Sequence, residues 1–325
     1  MGGNVNLELR RRQSTESDKI ILAGHLAGQE SSVFAEHQEP LSNRGWTFQE
    51  HLLARRTISF RATEITWACL NDTDVSSFRE RYKPLSRRST SIQFNTDREF
   101  WSSGWANLIN DFTKRTLRYP RDRLPALAGI AQRWADGLND VYVAGLWRSS
   151  LPLTLLWYVR DCEPALGIND KLPAPSWSWA AVSKPVHLQS EPGNVLCAEC
   201  LEVDITRGSS DSVFGAVAEG VLKLRGILTP VSLTHSPQHS GGYIVFINDD
   251  GSGDYQIRTC LAMLDRDVDV ETEGLFVLAI AKALDLRGLL VLKNPDGTFS
   301  RLGFVMTTGD MSCWLIGGKD VIDLT

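Results

Sequence analysis

The sequence predicts an α+β chain in which a helical segment, about residues 41–160, leans on a β-rich C-terminal half built as an antiparallel sheet or a partly closed barrel. A change of period carries that reading. In the first half, Trp101, Trp105, Leu108, Ile109 and Phe112 recur at the three- and four-residue steps of an amphipathic helix. From about Cys197 onward the pattern turns to period two, broken by turn signals at Gly208-Ser209, Gly241-Gly242, Asp249-Asp250-Gly251, Asp296-Gly297 and Gly317-Gly318. With 325 residues, 42% of them hydrophobic, the chain has the material for one or two packed domains.

Residues 1–40 are rich in Arg, Glu, Gln, Ser and Gly, and their apolar side chains are mostly Ile20-Ile21-Leu22-Ala23 and Val33-Phe34. That content is too thin to offset ordering entropy, so a disordered or atypical N-terminal segment is expected. Asn43 to Gly45 supply turn chemistry, and Trp46, Gln49, Glu50 and Leu53 then share one face of a short helix. Arg56-Thr57-Ile58-Ser59-Phe60 and Glu64-Ile65-Thr66-Trp67-Ala68-Cys69 alternate as the arms of a β-hairpin do. Asn71 to Thr96 is polar and turn-rich and reads as a loop. After the helix of Trp101 to Phe112, a second follows Asp122, with Pro125 tolerated near its first turn and Leu124, Leu127, Ala128, Ala131 and Trp134 inward. Leu151 to Val159 predicts a third, more apolar helix. Trp177-Ser178-Trp179 alternates as a strand, behind the stiffening Pro173 and Pro175. Two readings stand for Trp177 and Trp179: a ridge for docking a partner or another part of the chain, or two rings that both cover the helical part.

Several chemistries find no support. A net charge of −5 leaves no global basic footprint, and Arg10-Arg11-Arg12, Arg55-Arg56 and Arg87-Arg88 lack interleaved aromatics for stacking bases, so nucleic-acid binding is not expected. The longest apolar run, Leu275 to Leu284, has strand length and is followed by Asp285 and Arg287, so no membrane span is expected. No secretory core follows Met1, Asn6 breaks the myristoylation pattern, and six scattered cysteines fit reduced thiols in the cytoplasm. Cys197 and Cys200 make half a zinc site at most, and as strand residues three apart they point to opposite faces, which predicts inert thiols and no metal. Asp249 to Asp254 lacks the spacing of a calcium loop, and no Gly-rich phosphate loop or nucleophile elbow occurs, so no cofactor is expected. Glu50 beside His51 suggests acid–base work, yet consecutive helix residues diverge by about 100°. A structural role is therefore expected for Glu50, pinned to Arg44 or a neighbouring basic side chain.

The run Leu41 to Leu53, with Arg44-Gly45-Trp46-Thr47-Phe48-Gln49-Glu50 at its centre, resembles the closing motif of the fungal heterokaryon-incompatibility (HET) domain. Tyr119-Pro120-Arg121-Asp122-Arg123-Leu124-Pro125-Ala126-Leu127-Ala128-Gly129, then Gly145-Leu146-Trp147-Arg148, then Pro175-Ser176-Trp177-Ser178-Trp179-Ala180 are similar to further segments of that family, in the same order. The resemblance covers roughly residues 40–185. It implies that 41–70 is the end of a HET-like domain, 71–185 a helical HET-associated region, and 186–325 a β-rich C-terminal region. The family's earlier Trp-Gly and Trp-Ile-Asp segments do not occur, so the chain is expected to be the C-terminal part of such a protein, a truncated relative or an incomplete gene model. The implied role is nonself recognition and incompatibility cell death through an unidentified protein partner, with Arg44, Gly45, Trp46, Gln49 and Glu50 as motif residues that hold structure. A second implication comes from the family's distant similarity to Toll/interleukin-receptor folds, some of which cleave NAD with a Glu; Glu50 is the catalytic candidate on that reading. A third is an inactive fragment.

Overall fold

Apolar periodicity places the helices where the sequence expects them, with one shift of face and one replacement. The protein is described by a computed structural model over residues 23–25, 40–54, 56–60, 64–69, 97–165, 171–188, 195–207, 212–235, 243–247, 259–269, 271–282, 285–307, 315 and 318–325. Helix α1 (Gly45–Leu53) buries Gly45, Phe48 and Leu52. The predicted face was Trp46, Gln49, Glu50 and Leu53; instead Phe48 is 3% exposed and Trp46 41%. The shift follows from packing, because the Phe48 ring reaches the Phe112 ring at 5.7 Å, which turns the indole one position further round to solvent. Helix α2 (Asp97–Phe112) buries Trp105, Leu108, Ile109 and Phe112 as their spacing requires, and the Trp101 side chain lies outside the described residues.

Helix α3 (Ala128–Leu138) begins behind two single turns, Pro120–Asp122 and Pro125–Leu127, each opened by a proline whose missing N–H costs nothing at a first turn. Leu124, Leu127, Ala131 and Trp134 are buried as expected, while Ala128 is half-buried. Asn139 ends α3 in the left-handed conformation, φ 50°, and its N–H returns to the Ala135 carbonyl. The expected helix over Leu151 to Val159 is replaced by single turns at Arg148–Ser150 and Leu153–Leu155 and by a short strand. Leu151 is extended at ψ 145° ahead of Pro152, so a helix cannot run through Leu151, and only one turn forms behind the proline.

Strand β1 (Ala23–His25) joins β2 (Arg56–Phe60) and β3 (Glu64–Cys69) in a small sheet ordered β1-β3-β2, which contains the expected hairpin with Ile58 opposite Trp67. Residues 23–25 thus form a strand where disorder was expected. The rest of the predicted disorder through residue 39, the predicted loop over 71–96 and the acidic turn 249–254 lie outside the described residues. Two short antiparallel pairs follow, β4 (Tyr142–Val143) with β5 (Leu146–Trp147) and β6 (Tyr158–Val159) with β7 (Val186–His187).

The C-terminal half is strand. β8 (Val195–Leu196), β9 (Glu199–Arg207), β10 (Val217–Gly226), β11 (Leu228–His235), β12 (Tyr243–Ile247), β13 (Thr259–Leu264), β14 (Leu275–Lys282), β15 (Leu286–Lys293), β16 (Phe299–Met306) and β17 (Asp320–Leu324) form a ten-stranded sheet. Its order is β13-β12-β11-β14-β15-β16-β17-β10-β9, with β8 on β14. β13 also pairs with β16, so the sheet curls around an interior of Leu233, Val245, Ala262, Val277, Leu290 and Val305. β17, β10 and β9 continue beyond β16 as an open flank outside that curl. It is mixed, because β16 and β17 run parallel. The fold class is α+β, as the periods predicted.

Period two on β14 explains how the halves meet. Leu275, Val277 and Ala279 face the curled interior, whereas Leu278 and Ile280 belong to the same core as Trp105, Ile130 and Trp134. A strand covered on both faces reads as one apolar run, and Leu275–Lys282 does. Among the described residues no helix is long and apolar enough to cross a membrane.

One buried ion pair clamps the halves together. Arg301 of β16, wholly buried, donates from Nε to Asp265 Oδ2 at 2.7 Å and from Nη2 to Oδ1 at 3.2 Å. Its other donors reach the carbonyls of Leu155 and Trp157, and its guanidinium lies 3.5 Å from the Trp157 ring centroid. Asp265→Ala would strand that charge in the core, and we expect a loss of about 3–5 kcal/mol in denaturant unfolding. A second expectation concerns pH. His187 stacks on Tyr158 with ring centroids 5.1 Å apart, and burial, then Arg160 and Lys114, hold its pKa below the ordinary histidine value. The unfolded chain therefore takes up the proton first as pH falls. Stability attributable to His187 is present above the unfolded value of about 6.5 and is lost as pH drops towards the lower folded one. Melts recorded across that window should show a slope that His187→Gln reduces.

Candidate functional site

The segment around α1 is held by backbone closure, with its side chains serving that closure. The Gly45 N–H donates to the Thr116 carbonyl at 2.8 Å, and the Thr116 N–H donates to Asn43 O at 2.7 Å. A Cβ at Gly45 would stand 2.4 Å from Leu117 Cδ2, so only glycine lets the two chains approach. Thr47 Oγ1 donates to the carbonyls of Arg44, at 2.8 Å, and Leu41, at 2.5 Å, which fixes the turn before the helix. Gln49 reaches across to α3, where its Oε1 accepts the Gly129 N–H at 2.7 Å. That bond satisfies one of the amides that every helix leaves open in its first turn. Trp46 Nε1 donates to Asp122 Oδ2 at 3.4 Å on the surface.

Glu50 does not play its expected part. It is exposed, and among the described residues no ion pair or hydrogen bond holds its carboxylate. Arg44 is exposed too and is tied down through its main chain, in a bridge to Thr116. The expected Glu50–Arg44 pin is thus replaced by Gly45, Thr47 and Gln49. The reason is the turn of α1 that brings Phe48 inward and carries Glu50 out.

The other motif segments converge on the turn between β4 and β5. There the Gly145 carbonyl accepts two indole N–H groups, Trp105 Nε1 at 2.9 Å and Trp179 Nε1 at 2.9 Å. The neighbouring Ala144 carbonyl accepts Ser178 Oγ at 2.6 Å. Gly145 has φ +96°, and a Cβ there would meet Trp179 Nε1 at 2.4 Å. The ring of Phe48 meets that of Phe112, which meets Trp179 edge-on at 6.1 Å, so α1 is connected to the same node. Arg123 places its guanidinium 5.4 Å from the Trp179 ring and donates to the Lys184 carbonyl at 3.4 Å. Burial lowers the Arg123 pKa to about 10, and the charge of Glu163 works against that fall.

Trp177 and Trp179 are both wholly buried within the chain, which overturns the ridge for a partner and the alternating strand. The segment turns instead of extending. Ser178 Oγ accepts the Ala180 N–H at 3.1 Å and starts a single helical turn over Trp179–Ala181. The Trp177 ring then points to the sheet, donating to the Gly220 carbonyl at 3.1 Å, while its own carbonyl accepts Trp157 Nε1 at 3.0 Å. The four segments singled out by sequence therefore meet in one desolvated aromatic node, in which the indoles of Trp105, Trp157, Trp177 and Trp179 donate to main-chain carbonyls while Trp147 Nε1 has no hydrogen-bond partner among the described residues.

This node is built for packing rather than for turnover. Its rings are closed off from water and the N–H groups of Trp105, Trp157, Trp177 and Trp179 are already used. Cys197 sits with the curled interior and Cys200 with the helical core, and burial pushes both thiols up, away from the reactive thiolate. Among the described residues no three His, Cys, Asp or Glu side chains cluster as metal ligands would. The sequence reading missed Arg123 and the Arg301–Asp265 clamp. A signal for the clamp exists, because Arg301 shares the inward parity of Phe299 and Gly303 on β16.

Three substitutions separate these roles. Gly145→Ala combines strain at positive φ with a clash against Trp179 and should cost about 3 kcal/mol or more. Gln49→Ala should cost about 1 kcal/mol for the lost amide bond. Glu50→Gln should leave the unfolding free energy within about 0.5 kcal/mol. Urea titrations of the four proteins, followed by tryptophan fluorescence, check all three.

The chain matches no protein-family model, no curated protein and no solved structure.

Proposed function

We propose that the chain is a cytoplasmic interaction protein akin to fungal heterokaryon-incompatibility proteins, acting in nonself recognition and incompatibility cell death by binding a protein partner. The observation that supports this reading is the contact between segments that resemble the family in order but lie far apart in sequence. Gln49 bonds Gly129, Trp46 bonds Asp122, Arg123 covers Trp179, and Trp179 bonds Gly145. Chance likenesses at four places along a chain have no reason to touch. A shared architecture gives them one, since each residue type is then required by its neighbour.

These contacts support a structural role for Trp46 and Gln49, the close approach to Thr116 and Leu117 supports one for Gly45, and Glu50 lies on the surface. An interaction protein tolerates loss of that carboxylate, whereas an NAD-cleaving enzyme that uses it does not. The test is induced expression in a filamentous fungus, scored for growth arrest and cellular NAD. The reading predicts arrest with the natural sequence, arrest retained with Glu50→Gln, and arrest lost with Gly145→Ala. Arrest abolished by Glu50→Gln at unchanged protein level, together with NAD depletion by the natural chain, would contradict it and favour the enzyme.

A further inference from the structure

Beside the buried node lies a strip of side chains that keep large faces exposed. Leu41 is 63% exposed, Trp46 41% and Tyr119 45%, three large apolar groups where most aromatics among the described residues are buried. They are neighbours. Leu41 O accepts Thr47 Oγ1 from α1, Trp46 bonds Asp122, and the Asp122 N–H donates to the Tyr119 carbonyl at 3.0 Å. The guanidinium groups of Arg118 and Arg121 both lie 5.3 Å from the Tyr119 ring centroid, and Arg44 is exposed at the start of α1, bridged to Thr116.

The charges around this strip are unbalanced. Some exposed cations have carboxylates, as Lys114 has Asp111, Lys223 has Glu202 and Arg225 has Glu199, while others, such as Arg133, Arg160 and Lys184, have none among the described residues. Among the described residues Arg44, Arg118 and Arg121 have none, although the chain carries a net −5. Stacking on Tyr119 holds Arg118 and Arg121 in place without using their N–H forks, and a guanidinium fork matches a carboxylate in two parallel bonds. Trp, Tyr and Arg are also the side chains on which protein interfaces concentrate their binding energy.

We infer that the strip of Leu41, Arg44, Trp46, Arg118, Tyr119 and Arg121 docks an extended acidic segment of a partner protein, its carboxylates on the three arginines and an apolar side chain on the Trp46 indole. A peptide fits better than a nucleic acid. Asp122 and Glu50 border the strip, and a phosphate at every step of a polymer would be forced against them, whereas a peptide places its carboxylates selectively. The inference rests on the interaction reading for the existence of a protein partner, and adds where that partner binds and what chemistry it brings.

The experiment is fluorescence anisotropy on the full chain with three labelled probes: a Glu/Asp-rich peptide containing Phe, the same peptide with Gln and Asn for the acids, and oligouridylate. The acidic peptide should bind in a salt-sensitive way, and the neutral one about tenfold more weakly or worse. The double variant Arg118→Glu/Arg121→Glu should weaken the acidic peptide by about tenfold or more with its melting curve unchanged, and Arg118→Gln/Arg121→Gln by less. Lys223→Glu, remote and normally paired, should leave binding intact. No binding, equal binding of the neutral peptide, or indifference to charge reversal would overturn the proposal, as would tighter binding of oligouridylate. Growth arrest is read separately, so arrest that survives a failed peptide assay removes the docking strip while leaving the interaction reading in place.

Discussion

A single main-chain oxygen, that of Gly145, organises the helical half by accepting the indole N–H groups of Trp105 and Trp179. A buried indole that lacks a partner carries its desolvation penalty, and one acceptor aimed at both rings removes it for Trp105 and Trp179, whereas Trp147 Nε1 in the same core has no hydrogen-bond partner among the described residues. Positive φ at Gly145 aims that acceptor, and the absent Cβ admits the Trp179 ring. From there the packing spreads outward: Trp179 to Phe112 and Phe48, Trp105 to Trp134 and Trp147, and the Ser178 hydroxyl to Ala144. The segments that look like motifs are thus the pieces of one arrangement.

The second constraint joins that node to the sheet. Arg301 brings a full charge into the core, which is tolerable only because Asp265, two carbonyls and the Trp157 face surround it. Its carbonyl partners lie at the end of the single turn Leu153–Leu155 and just beyond it, where no continuous helix claims them. Trp177 makes a parallel link through Gly220 of β10. A comparable ion pair, Arg266 with Glu163 at 2.5 Å, lies next to Asp265, and Glu163 also accepts the Lys184 N–H at 3.2 Å.

How much of this was readable in advance depended on whether the cause was local. Period and turn chemistry are local, and they placed α2, α3, the β2–β3 hairpin and the switch to strands. The face of α1 was misjudged because Trp46 outranks Phe48 in size, while the outcome was settled by Phe112, far along the chain. Trp177 and Trp179 alternate as strand residues do, but the Ser178 hydroxyl caps a turn between them, and their burial depends on Gly145 and Gly220. Gln49 was singled out, yet its partner is a main-chain amide, which no pattern of side chains announces. The Arg301–Asp265 clamp was missed because an arginine at inward parity is informative only once the opposing carboxylate is known.

The most direct measurement of the central claim is hydrogen exchange of the indole N–H groups in protein labelled with ¹⁵N-tryptophan, with resonances assigned by single Trp→Phe substitutions. If the Gly145 carbonyl holds both rings, the Trp105 and Trp179 protons exchange only through global unfolding, at rates that track denaturant stability, while the exposed Trp46 proton exchanges fast. Rapid exchange at Trp105 or Trp179 in an otherwise stable protein would contradict the account.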